Sequence, residues 1–255
     1  MKKLLYNFVS WFVKLIAKRK VVMKPVKGFN KVLYYEKAQH LNFLFQKEAN
    51  YEPHLLKRIT PYICPGARIF DIGANIGQYT LIFSELVGEA GEILSFEPDF
   101  KNFAFLQFNT TINACKNVRC YNYGIGSEDT RRQFFRDTET GGRKGSFNKE
   151  YVENSFKGYT DEVQIKGLDT VIDEFGIPDF VKIDTEGFEL EIISGLKREL
   201  EHCVFFIEVE DNSIFKVFDY FNTRGFTCLC IDKEPQEITD AKMIKRNANL
   251  IFKKG

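Results

Sequence analysis

The chain has 255 residues, an apolar fraction of 44%, and 36 Lys/Arg against 35 Asp/Glu. This length and apolar content suit one large α/β domain with a substantial core and exclude a disordered chain. The near-zero net charge excludes a general polyanion binder, so no nucleic acid is expected as a partner.

At the N-terminus, Leu4, Leu5, Phe8, Val9, Phe12, Leu15 and Ile16 fall at helical spacing. Lys2, Lys3, Lys14, Lys18, Arg19 and Lys20 flank or interrupt them, and no acid precedes Glu36. The stretch is too short to span a bilayer, carries Lys14 inside it, and is followed by no small-residue cleavage site. Two readings remain. One is an interfacial helix on anionic lipid, giving residues 1–20 a peripheral membrane contact in which each lysine contributes up to about 1 kcal/mol. The other is an accessory helix covering the rest of the chain or a partner subunit. Residues 1–50 thus read as an amphipathic helix plus an accessory segment, and residues 51–255 as the main domain.

Residues 21–50 contain short β-prone pieces, Lys31–Tyr35 and Leu41–Phe45. A helix is expected over Tyr51–Ile59, with Pro53 in its first turn, before Pro61 and Pro65-Gly66 break the chain. Arg68–Phe70 then reads as a buried strand and Ile76–Val87 as a helix. Between them runs Asp71-Ile72-Gly73-Ala74-Asn75-Ile76-Gly77-Gln78-Tyr79-Thr80, whose glycines allow a sharp turn and close approach to a ligand. A dinucleotide turn needs glycine at its first, third and sixth positions, which here are Gly73, Asn75 and Gln78, so that pattern fails. No Gly-Lys-Ser/Thr follows, which excludes the phosphate-binding loop.

Twenty residues beyond Gly77, Glu97 ends the next apolar strand, Ile93–Phe96. An acid there is suited to accept hydrogen bonds from both hydroxyls of a ribose. Asp71, at the mouth of the turn, would repel a pyrophosphate but attract the ammonium of an amino-acid moiety, directly or through water. S-adenosylmethionine carries both groups.

Phe100–Asn113 reads as a helix and Val118–Tyr123 as a strand that ends in a Gly124-Ile125-Gly126 turn. Asn122 to Ile125 are second-tier ligand candidates near an adenine position, or a plain turn. Residues 127–160 are hydrophilic and poorly periodic, and the Thr140–Phe147 stretch suits either a mobile loop beside a site or a solvated loop. Next come a strand over Glu162–Lys166, a helix from Leu168, a strand over Phe180–Ile183 and a helix over Phe188–Leu196. A strand over Val204–Ile207, ending in Glu208, leads to a helix over Ser213–Asn222 and a hairpin-like pair, Phe226–Ile231 with Asn249–Phe252. This alternation implies a largely parallel sheet covered on both faces.

Cys64, Cys115, Cys120, Cys203, Cys228 and Cys230 form no metal-binding or Cys-x-x-Cys spacing, so reduced thiols and a cytoplasmic location are expected. His40, His54 and His202 lie far from the motifs and read as structural or exposed, although His54 is on a segment able to fold toward the crevice.

Asp71-Ile72-Gly73-Ala74-Asn75-Ile76-Gly77, Phe96-Glu97-Pro98 and Val181-Lys182-Ile183-Asp184-Thr185-Glu186-Gly187-Phe188-Glu189 together resemble the FkbM-type S-adenosylmethionine-dependent methyltransferases over roughly residues 50–210. The resemblance implies a Rossmann-like class I methyltransferase fold, a mostly parallel seven-stranded sheet with helices on both faces, with the segment before the core closing over the cofactor. It also implies methyl transfer to a hydroxyl of a sugar, glycan or related metabolite. The cofactor-binding residues expected are Asp71, Gly73, Ala74, Asn75, Gly77, Tyr79, Thr80, Glu97, Pro98, Asn122, Gly124 and Asp184. Asp184 suits orienting the cofactor's amino end or the acceptor, and Glu186 or Glu208 suits taking the hydroxyl proton, making these three the catalytic candidates. Glu189 reads as favouring the start of its helix through the helix dipole.

No metal ligand is assigned. Asp184 and the Glu208–Asn212 stretch offer oxygens of the kind magnesium prefers, yet the family resemblance requires no metal. The competing readings are a nucleic-acid or protein methyltransferase, for which the Asn/Asp-Pro-Pro-aromatic motif is missing, and a non-catalytic cofactor-binding domain tethered through its N-terminal helix.

Overall fold

The computed structural model describes residues 20–40, 47–49, 52–137, 145–147 and 158–255. The amphipathic helix expected over residues 4–16, the β-prone piece over 41–45 and most of the Thr140–Phe147 stretch lie outside the described residues. Among the described residues, no helix is long and apolar enough to cross a membrane.

The main sheet is built on strands β3 (Arg68–Ile72), β4 (Glu92–Phe96), β5 (Val118–Tyr121), β9 (Phe180–Ile183), β10 (Val204–Val209), β11 (Thr227–Cys230), β12 (Gln236–Ile238) and β13 (Ala248–Lys253). Its order is β12-β11-β13-β10-β9-β3-β4-β5. The ladders β10–β9, β9–β3, β3–β4 and β4–β5 are parallel, and β10–β13, β13–β11 and β11–β12 are antiparallel. The fold is therefore the expected Rossmann-like α/β architecture. An eighth strand, β12, is added at one edge, too short and too exposed to announce itself in the sequence.

β9 is buried at all four positions, as a central parallel strand covered on both faces must be. The chain winds from β3 out to β5 on one side and from β9 out to β10 on the other. The carboxyl ends of β3 and β9 therefore meet at the point where strand order reverses, where such sheets open a crevice.

The helices are α1 (Pro53–Ile59), α2 (Gln78–Val87), α3 (Phe100–Ile112), α4 (Leu168–Phe175), α5 (Glu189–Ser194) and α6 (Ile214–Asn222). α2 is buried nearly all round because it is covered from two sides. Tyr79, Phe83 and Val87 pack toward the sheet, while Leu81 and Ile82 pack against Leu33 and Tyr35 of a hairpin made by β1 (Val21–Pro25) and β2 (Val32–Glu36). α2 begins after Gly77 rather than at Ile76, since Gly77 takes φ 92°.

Among the described residues β2 has no strand partner beyond β1, and its outer edge is met by side chains of α3. Asn109 accepts from the Tyr34 N–H at 2.8 Å and donates to Tyr34 O at 3.0 Å. Asn113, one turn on, does the same for Val32 at 2.8 and 2.6 Å. Asn109 Nδ2 also donates to Ile76 O at 2.8 Å, so the hairpin, α3 and the glycine turn share one side chain.

Residues 124–161 depart from expectation, while the strand expected over Glu162–Lys166 is present and longer. Gly124–Gly126 is a strand, β6, and Thr130–Asp137 and Gly158–Gly167 are long strands, β7 and β8, in a second sheet of order β6-β8-β7. β7 escaped notice because charged residues alternate with Phe134 on its inward side. Arg132 is answered by Glu191 at 2.7 Å, and Arg136 by Asp99 and Asp161 at 2.9 and 2.6 Å. Paired charges at inward positions erase the period-two apolar signal.

Asn109→Ala should lower unfolding stability in denaturant titration by about 3 kcal/mol, since it strands buried groups of Tyr34 and Ile76. Asn109→Asp should not restore it, because a carboxylate cannot donate to the two carbonyls.

Candidate active site

The turn after β3 is shaped by three residues in the left-handed region, Gly73 at φ 76°, Asn75 at 51° and Gly77 at 92°. The N–H groups of Gly73 and Ala74 both donate to Phe96 O, at 3.0 and 3.1 Å, which fastens the turn to the end of β4. A Cβ on Gly73 would lie 1.9 Å from Asp184 O, and one on Gly77 would lie 2.7 Å from Leu106 Cδ1. Gly73 is therefore required both by its backbone angle and by the close approach of the strand beside it.

Beneath this turn lies Lys182, on β9 and 2% exposed. Its Nζ is 3.2 Å from Asp71 Oδ1, 3.4 Å from Asp184 Oδ2 and 3.2 Å from Gly73 O. The Tyr79 ring centroid is 5.4 Å away. Burial by itself would lower the lysine pKa, but Asp71 and Asp184 outweigh it and hold the ammonium charged. Asp71 is fully buried, and its other oxygen accepts from Thr80 Oγ1 at 2.6 Å. Asp71 and Thr80 thus sit behind the cavity wall, and the carboxylate expected to meet an ammonium of a ligand meets that of Lys182.

Glu97 is 5% exposed. Oε2 accepts from Asn75 N at 2.7 Å and Oε1 from Asp99 N at 2.9 Å, so both oxygens are aimed by backbone. Burial, followed by the charge of Asp99, pushes its pKa up to about 8. Each oxygen keeps acceptor capacity beyond its one backbone donor, the chemistry that suits a vicinal diol. Asn122 donates to Glu97 O at 2.9 Å and Pro98 O at 3.2 Å, bracing this segment from behind.

Asp184 and Glu208 follow or end neighbouring parallel strands. They are close enough that Asp184 is the largest cause of a raised Glu208 pKa, ahead of burial, Glu52 and Glu186. Two facing carboxyls share a proton rather than both ionise. Glu186 stands in the left-handed region at φ 51°, and its carbonyl accepts from Ser146 Oγ at 2.9 Å. A non-glycine residue held there is backbone strain stored beside the cavity. Glu189, fully buried, accepts from Gly187 N at 2.8 Å, and burial pushes its pKa up to about 7.

One cavity joins these parts. Gly73, Ala74, Asn75, Tyr79, Glu97, Pro98, Gly124, Asp184, Glu186 and Glu208 line it, whereas Asp71, Gly77, Thr80 and Asn122 lie behind. The second sheet closes one side through Ile125 and Phe134, joined by Phe147 next to the Phe135–Ser146 bridge. Phe147 packs 4.9 Å from both the Phe134 and Phe188 ring centroids. His40, Gln78, Phe134, Phe147 and Lys182 were not singled out from sequence, and His40 rather than His54 reaches the cavity wall. Lys182 was visible within its motif, as a lysine inside an otherwise apolar strand. Among the described residues, no group of three or more His, Cys, Asp or Glu side chains has metal-site geometry.

A family model described as "Methyltransferase FkbM domain" matches residues 71–228. A comparison with curated proteins gave no match. Among solved structures, a protein of Pyrococcus horikoshii described as a transferase is similar with a TM-score of 0.50 at 14% identity, over 92% of this chain and 71% of that one. A methyltransferase FkbM from Methylobacillus flagellatus KT is similar over 73% of this chain at 18% identity and TM-score 0.46, and the match spans 43% of that longer chain. A precorrin-6y C5,15-methyltransferase from Geobacter metallireducens GS-15 is similar at 12% identity and TM-score 0.48, over 83% and 91% of the two chains.

The buried acids set a pH signature. Folded Glu97 keeps its proton up to about pH 8, against 4.5 for an unperturbed glutamate, so between these values the unfolded chain binds fewer protons and stability falls as pH rises. Melting temperatures of the ligand-free protein should therefore drop from pH 5 to pH 8 (about three units) more steeply than those of Glu97→Gln. Parallel curves would remove Glu97 as the source.

Proposed function

The chain belongs to the FkbM methyltransferase family, and from that premise we propose that it is an S-adenosylmethionine-dependent O-methyltransferase acting on a hydroxyl of a sugar, glycan or related metabolite. The observation that carries this reading is a single cavity walled both by the buried Glu97 carboxyl and by the Asp184–Glu208 pair. The donor set fits the cofactor. Glu97 would take the two ribose hydroxyls, and Ile125, Phe134 and Phe147 offer an apolar wall for a purine. Gly73, with no side chain, would let the backbone approach the ligand closely, and the acids favour a molecule carrying positive charge.

When bound, the cofactor supplies a methyl group on a positively charged sulfur. What remains for the protein is to hold an acceptor oxygen in line and take its proton. A sugar hydroxyl is a poor nucleophile, so the base must have high proton affinity yet be ionised at the moment of reaction. Glu208 meets the first condition because Asp184 faces it. Asp184 and burial push the Glu208 pKa up to about 9, which leaves the proton on Glu208 at rest, while Lys182 stands 3.4 Å from Asp184. A cation entering the cavity favours the ionised form of Glu208, coupling ligand arrival to activation of the base. Asp184 and Glu186 would then orient the acceptor, while the Phe134–Phe147–Phe188 cluster excludes water.

Glu97→Ala should weaken S-adenosylmethionine binding about a hundredfold or more by calorimetry, through the loss of the hydrogen bonds between Glu97 and the two ribose hydroxyls. Unchanged affinity would remove the ribose assignment. For Glu208→Gln, turnover should fall about 10²- to 10⁴-fold with cofactor affinity retained, and the rise of wild-type rate with pH toward about 9 should vanish. The acceptor class is tested by incubation with methyl-labelled cofactor and an extract of the host's glycans, read by mass spectrometry. Label confined to protein or nucleic acid overturns it.

A further inference from the structure

Nine large apolar side chains are markedly exposed among the described residues, and five of them share one face: Val21, Met23, Phe100, Phe108 and Ile112. In the hairpin register Met23 stands opposite Tyr34, so the two side chains project from the same side, and the Tyr34 ring meets Phe108 edge-on at 5.1 Å. Phe100, Ala104, Phe108 and Ile112 recur every four residues and form one stripe of α3. Asn109 and Asn113 hold that helix alongside β2, which makes stripe and hairpin a continuous surface. α3 contains no acid, and Lys101 is its sole charged residue. A patch of this kind on a folded protein marks a docking site.

Charge identifies the partner. Residues 1–35 hold nine Lys/Arg and no acid, whereas residues 36–255 hold 27 Lys/Arg and 35 Asp/Glu. The near-neutral chain is thus two regions of opposite sign, and the positive one runs directly into β1 at the edge of the apolar face. Its sequence also carries the apolar helical spacing over Leu4–Ile16. Exposed aromatic and aliphatic side chains beside a sequence region rich in lysine match the chemistry of a bilayer surface with anionic headgroups, and Glu36, opposite Val21 in the hairpin, is answered by Lys101. A protein partner would not call for so one-signed a flank.

We propose that the face formed by α3 and the β1–β2 hairpin docks this protein peripherally on an anionic membrane surface. The bilayer takes the apolar side chains, and the lysines meet the headgroups.

Co-sedimentation of the full chain with vesicles of phosphatidylcholine and phosphatidylserine, against phosphatidylcholine alone, tests the assignment. Binding is expected with the anionic vesicles and should weaken as salt is raised. Ile112→Asp and Val21→Asp lie on different elements and outside the cavity. Each should reduce vesicle binding about tenfold or more while melting temperature and cofactor binding are kept. The proposal is overturned if the full chain ignores anionic vesicles or if both variants bind as the parent does. It is equally overturned if the parent forms a dimer without lipid that these variants dissociate, since the face then belongs to a second copy.

Discussion

Taking an ammonium to 2% exposure costs several kcal/mol unless opposite charges answer it. For Lys182 the answer comes from Asp71 on β3, from Asp184 just past β9, and from the carbonyl of Gly73. These acceptors belong to the two strands that diverge at the reversal of sheet order and to the turn between β3 and α2. A single cation therefore sets the spacing of everything that opens the crevice. Thr80 extends the same constraint into the first turn of α2 by donating to Asp71. Removing the lysine charge would leave Asp71 ionised without solvent or a counter-ion, a far larger cost than the net worth of the pair.

The same cation divides the acids above it into two kinds. Asp184 lies next to the ammonium. Glu97 and Glu208 do not share that contact, and both are pushed toward the protonated form. Burial and neighbouring acids cause this, Asp99 beside Glu97 and Asp184 beside Glu208. On the function proposed above, the high proton affinity of Glu208 suits the group that takes a proton.

Much of this was legible in the sequence because it rests on local signals. The glycine turn, the acid closing β4 and the apolar strand ending at Asp184 each show within ten residues, and the strand and helix alternation gives the sheet. What was hidden is nonlocal. β7 carries Arg132 and Arg136 on its inward side, answered by Glu191, Asp99 and Asp161 far along the chain, so its alternation reads as a polar loop. Asp71, a motif residue, and Asn122, a second-tier candidate, lie behind the cavity wall, because which side of a strand end faces the crevice depends on the neighbouring strands. His40 reaches the wall from the accessory segment, where no motif marks it.

The clamp between β2 and α3 works as a vernier. Two residues of strand advance about 6.8 Å, while one near-turn of four helical residues advances about 6.0 Å. Two rungs, Val32 with Asn113 and Tyr34 with Asn109, absorb that difference. A third rung would fall at Glu36 and Phe105, out of step by about 1.6 Å. There the ladder stops, and the long side chain of Lys101 reaches back to Glu36 instead, at 2.5 Å. Pitch mismatch and the lack of a side-chain amide at Phe105 thus limit the docked hairpin to a short grip. Because Asn109 also holds Ile76, any slip of that grip is transmitted straight to the glycine turn.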